Sequence, residues 1–77
     1  LNLLGLRYEE AKNELDHYLD SCRLKGYKRV RIIHGLGSGA LKRMCQEFIK
    51  NHSSFIEKSE PAGEYEGGAG ATIIYLK

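Results

Sequence analysis

The run His34-Gly35-Leu36-Gly37-Ser38-Gly39 is where this chain has the residue types and spacing for chemistry. An imidazole titrates near neutrality, so His34 is the candidate catalytic group, able to protonate a leaving oxygen or to orient a water for attack. The other reading of the same ring is a hydrogen-bonded lock on the glycine turn. Gly35, Gly37 and Gly39 permit backbone angles and close approaches that side chains forbid, so consecutive N–H groups can point at one anion. Ser38 is a candidate N-cap or phosphate donor. Lys42 and Arg43 follow in the first turn of an expected helix, where cations oppose the helix dipole by about 0.3–1 kcal/mol unless a phosphate is bound. The chemistry expected is capture of a phosphate, with His34 beside it.

A strand must deliver this turn and a helix must receive it. Residues 29–33 are β-branched and apolar enough for a strand, and from Ala40 onward Leu41, Met44, Cys45, Phe48 and Ile49 repeat at helical spacing, predicting a helix to about residue 51. Upstream, Ala11, Leu15, Tyr18, Leu19 and Cys22 share one face of a helix over 8–25, with Glu9 and Glu10 in its first turn and Gly26 as its stop. Residues 1–4 read as a short opening strand ended by Gly5. Residues 55–60 and 71–76 read as two further strands, joined as an antiparallel hairpin across the glycine-rich segment 61–70. The order β-α-β-α-β-β predicts an α/β two-layer sandwich: a four-stranded mixed sheet with both helices on one face.

Seventy-seven residues suffice for one domain with a small core. The net charge of +2 neither demands nor excludes a nucleic-acid partner. Its distribution says more, because Lys25, Lys28, Arg29, Arg31, Lys42 and Arg43 fall from the end of the first helix to the start of the second while acids gather in 9–20 and 57–66. No apolar run approaches the length needed to span a bilayer, and no leader is visible, so a cytoplasmic protein without a membrane partner is expected. The lack of an initiating Met at Leu1 suggests a fragment of a longer protein. Cys22 and Cys45 fall on apolar helix faces, where a disulfide or metal site is not expected. A dinucleotide-binding unit fits poorly, because the G-x-G-x-x-G spacing is missing.

Three ordered segments carry a family resemblance over essentially the whole chain. Leu1 to Arg7 with Glu9-Glu10-Ala11 resembles an opening motif, His34 to Lys42 resembles an HGxGxGxL(R/K) signature, and Glu66 to Ile73 is similar to a closing motif. Together they resemble the small MutS-related (Smr) domain, most closely the C-terminal domain of bacterial MutS-two proteins. The resemblance implies a sandwich like the C-terminal domain of translation initiation factor three. It also implies action on nucleic acid: nicking of branched DNA, cleavage of RNA, or binding of stalled ribosomes in ribosome quality control. Full-length relatives carry an ATPase module and form homodimers.

Two positions depart from the family pattern. Asn2 stands where an acid is usual, and Leu4 where His or Arg is usual. Asn2 cannot act as a carboxylate base or metal ligand, and Leu4 cannot contact phosphate. Glu9, Glu10 and Glu66 are the possible replacement acids. No cofactor is expected, and a divalent metal has no support in the sequence. The expected functions are therefore an endonuclease module of reduced activity, or a non-catalytic module that grips DNA, RNA or the ribosome through the same residues. Arg7 joins the phosphate-binding set if the first two strands are neighbours, and Arg31 extends the basic surface. Tyr65, in a loop, is a candidate for stacking on an unpaired base. The remaining tyrosines, Tyr8 among them, are expected to pack, and His17 and His52 to be bystanders.

Overall fold

A computed structural model describes residues 1–37 and 39–77. The elements run α1 (Tyr8–Lys25), β1 (Arg29–Ile33), α2 (Ala40–Asn51), β2 (Ile56–Pro61) and β3 (Ala71–Leu76), with 3-10 turns at Glu64–Glu66 and Gly68–Gly70 between the last two strands. Helix α1 stops where Gly26 turns left-handed (φ 81°), its N–H donating back to the Arg23 carbonyl.

The named strands form a three-stranded antiparallel sheet in the order β1-β3-β2, which replaces the expected four-stranded mixed sheet. The opening segment does lie parallel to β1, with Ile33 N–H bonded to the Leu1 carbonyl and Leu3 N–H to the Ile33 carbonyl, but it makes only one bridge, Asn2 to Ile33. Local hydrogen bonding explains the shortfall. The Asn2 side-chain oxygen accepts the Leu4 N–H at 2.9 Å, and Gly5 takes a φ of 84°, so the chain curls out of the sheet after Leu3. The hairpin between β2 and β3 is present, with an irregular register between Ile56 and Lys58.

Alternation along β1 and β3 divides the residues between two clusters. Val30, Ile32, Ile74 and Leu76 join Ala11, Leu15, Leu19 and Cys22 of α1 and Met44, Cys45 and Phe48 of α2 in the main core. Both helices therefore cover one face of the sheet. Leu3 is fully buried there, which anchors the opening segment. Each fully buried leucine or isoleucine contributes about 1.5–3 kcal/mol of burial free energy. Burial pushes the Cys45 thiol up to about 11, so it packs as a hydrophobe. On the opposite face Ala62, Ala71 and Ile73 form a smaller cluster with Ile33 and Tyr75.

Candidate nucleic-acid interface

Strand β1 ends at Ile33 and the chain turns through Gly35, at φ 76°, before α2 begins behind Gly39, at φ 81°. Both angles lie in the left-handed region where a Cβ is penalised. A Cβ on Gly35 would also come within 2.5 Å of Leu4 Cδ2, so the Leu4 side chain lies against the turn. His34, Gly35, Gly37 and Gly39 line one open hollow of about 320 Å³, together with Leu4 and Tyr8. Ser38 falls outside the described residues.

The imidazole of His34 points into the protein, 4% exposed. Its Nδ1 lies 2.9 Å from the Gly35 carbonyl, which can only accept, so Nδ1 carries a proton. Its Nε2 lies 2.9 Å from the Thr72 hydroxyl. That hydroxyl donates to a neutral ring or accepts from a charged one. The ring thus ties β1 to β3 and to the turn.

The main chain is partly occupied as well. The Gly70 carbonyl accepts the N–H groups of both His34 (3.0 Å) and Gly35 (2.9 Å), so the Gly35 amide faces the protein rather than a ligand. Among the described residues, the Leu36 and Gly37 amides make no backbone hydrogen bond. Helix α2 follows with a glycine at its N-cap, which brings no side-chain acceptor, and with no acid in its first turn. The first-turn amides of Leu41 and Lys42 lack intrahelical partners by the geometry of any helix start.

The expected basic residues are spread around the turn rather than gathered in the hollow. Lys42 lines a neighbouring cleft with Thr72, Ala71 and Ala69 rather than the hollow itself. Arg43 is exposed and close enough to Tyr8 to act on its phenol. Arg7 is the N-cap of α1, its N–H donating to Glu10 Oε1 at 3.1 Å; the neighbouring residues Leu6 and Tyr8 reach the hollow.

Tyr8, which the sequence pattern assigns to packing, instead lines the hollow, with its hydroxyl donating to Glu47 Oε2 at 3.3 Å. Partial burial and the Glu47 carboxylate push its phenol above the ordinary value. Thr72 also escapes the sequence reading, although a signal exists: it alternates with Ile74 on the inward side of a strand, and an inward polar residue needs a partner.

The acids named as substitutes have other tasks. Glu10 caps α1, and Glu66 pairs with Arg29 (2.8 Å), which holds its carboxyl below the usual range. Arg31 Nη1 donates to the Glu66 carbonyl at 3.5 Å, so its guanidinium is drawn to the same loop. Tyr65 beside it is 96% exposed. His52 caps α2, its Nδ1 2.7 Å from the Phe48 carbonyl and its ring stacked on Phe48 at 3.9 Å. Among the described residues no three metal-binding side chains come together, and no helix is long and apolar enough to cross a membrane.

The profile of the Smr domain family matches residues 1–77. This chain belongs to the Smr domain family. It is 50% identical over 78 residues to the putative endonuclease MutS2 of Bacillus subtilis, covering 100% of this chain and 10% of that protein. Against the endonuclease MutS2 of Enterococcus faecalis it is 49% identical over 74 residues, covering 96% of this chain and 9% of the other. The chain thus spans about a tenth of the length of these relatives. Its fold superposes on the crystal structure of the Smr domain of Thermus thermophilus MutS2 with a TM-score of 0.94 at 34% identity, covering 100% of this chain and 95% of that one. A stand-alone small MutS-related protein from Escherichia coli, YdaL, shares the fold with a TM-score of 0.88 at 24% identity, covering 100% and 63%. The Smr assignment made from three motifs is therefore shown, and so is the likeness to the Smr domain of MutS2.

Proposed function

We propose that this Smr domain grips the sugar-phosphate backbone of nucleic acid at the turn between β1 and α2, and that it holds its substrate more readily than it cuts it. The observation that carries the reading is the start of α2: a left-handed glycine cap, no acid in the first turn, and Lys42 and Arg43 directly behind. The amides of residues 36, 37, 41 and 42 supply donors, and the cations supply charge. His34 acts as the rigid post of the turn, because both ring nitrogens are held from inside. Asn2 offers a carboxamide committed to the Leu4 turn, and Leu4 covers Gly35 with an apolar side chain.

A second reading is nicking of branched DNA: the relatives named endonuclease MutS2 favour cleavage, and the branched substrate is what the family resemblance implies. On that reading His34 releases one internal partner to reach a phosphodiester, and any divalent metal arrives with the substrate. The same grip on RNA would make the domain a ribosome-binding module in ribosome rescue. Homodimerisation and an ATPase module belong to the longer protein, acting in the cytoplasm.

The test is incubation of the purified domain with branched DNA, linear DNA and structured RNA, with and without divalent metal, beside Asn2→Asp. Wild type is expected to bind, shifting amide resonances within 36–43, with little or no cleavage. The introduced carboxylate would keep an oxygen that accepts the Leu4 N–H, so the variant is expected to fold unchanged, and cleavage gained there marks a site disabled by one substitution. Binding that leaves residues 36–43 unperturbed would refute the proposed interface.

A further inference from the structure

Among the described residues six large apolar side chains stand exposed, and five of them divide between the two ends of α1. Leu4, Tyr8 and Leu36 surround the glycine turn, whereas Leu24 (85% exposed) and Tyr27 (56%) lie at the helix C-terminus and just beyond it. There they line a second open hollow of about 590 Å³ with Phe55, Arg23, Lys28 and Lys77. Asp20 is the one carboxylate side chain among the residues lining it. Arg23 reaches that Asp20 at 3.7 Å and lies 4.0 Å over the Phe55 ring.

We infer that this hollow is a second nucleic-acid contact, for a strand or arm distinct from the one held at the glycine turn; the inference rests on the function proposed above. Tyr27, 56% exposed, lines the hollow with Arg23, Lys28 and Lys77, so a base can stack on its ring while the cations neutralise the phosphate; the Phe55 ring is already covered by Arg23. The helix end itself repels anions, so attraction comes from the side chains alone. Several backbone groups around the hollow are already paired. The Lys28 carbonyl accepts Leu76 N–H, the Phe55 carbonyl accepts Lys77 N–H, and Gly26 and Tyr27 donate back into α1, so a peptide adding as a strand finds no free partners at these positions.

The two hollows cannot readily share one continuous strand along α1. Its 18 residues span about 27 Å at about 1.5 Å each, and its exposed side carries Glu9, Glu10, Glu14, Asp16 and Asp20 against Lys12 over residues 9–20, with Arg23 and Lys25 only in the last turn. A phosphate backbone laid along residues 9–20 meets five carboxylates against one ammonium before it reaches the basic last turn. The geometry therefore favours two separate arms, and a branched substrate over a linear one.

The test compares wild type with R23E/K28E and the charge-preserving R23K/K28R, using branched and linear DNA of equal length at fixed salt. Thermal melting establishes that the variants fold. R23E/K28E is expected to lose about tenfold in affinity for branched DNA while linear DNA changes less than about twofold. R23K/K28R should behave as wild type. Titration of labelled wild type with branched DNA should shift amides in both 36–43 and 23–28. Shifts confined to 36–43, or unchanged branched affinity in R23E/K28E, overturn this inference and leave the first interface standing. Shifts in neither region overturn both, and shifts of 23–28 with polyglutamate but not with DNA assign the hollow to an acidic protein.

Discussion

At one end of β1 the chain turns through Gly35 and Gly39 and the main chain shapes the hollow; at the other, Arg23, Tyr27 and Lys28 shape it with side chains projecting into solvent. The first kind of surface depends on a few backbone angles and on buried partners such as Thr72. The second depends on charge and can be rebuilt from other long side chains. Damage to the first should therefore appear in stability as well as in binding, and damage to the second in binding alone.

Thr72→Val gives the largest separation. It leaves Nε2 of a buried His34 without its partner, which should cost about 1–3 kcal/mol and lower the melting temperature; a melting curve equal to wild type would show that the His34–Thr72 contact does not hold the turn. Gly39→Ala comes next. A Cβ there meets nothing within 4 Å, so the cost is conformational, about 1–2 kcal/mol for a left-handed residue, visible in urea denaturation. Lys42→Ala and Arg43→Ala should leave melting nearly unchanged while flattening the salt dependence of binding by about one unit per lost phosphate contact. An unaltered slope removes them from the interface.

The smallest effect concerns the loop over the opposite sheet face. Arg29 holds the Glu66 carboxyl low, so this contribution to stability is present above the ordinary carboxyl value near 4.5 and is lost as pH falls through the lower folded value. Glu66→Gln should abolish that part of the acid dependence, read as melting temperature against pH, with little change at pH 7.

Sequence reading reached the helices, the three main strands and the glycine turn, because each rests on local pattern: apolar spacing in α1 and α2, a run of β-branched and aromatic residues in β3, glycines between β1 and α2. It overextended residues 1–4, where Asn2 has a choice between strand pairing and its own turn, and the turn wins beyond Leu3. What lay outside its reach was contact between distant positions. His34 meets Thr72 across 38 residues, the Gly35 amide is taken by Gly70, and the basic hollow gathers Arg23, Phe55 and Lys77 from three parts of the chain. No spacing along the sequence announces such meetings.

The double acceptance at the Gly70 carbonyl fixes a length as well as a contact. One oxygen fastens two successive residues of the β1–α2 connection, so the stretch from the left-handed Gly67 to Ala71 acts as a spacer cut to measure. Adding a single residue there would unfasten the connection without altering any side chain around the hollow.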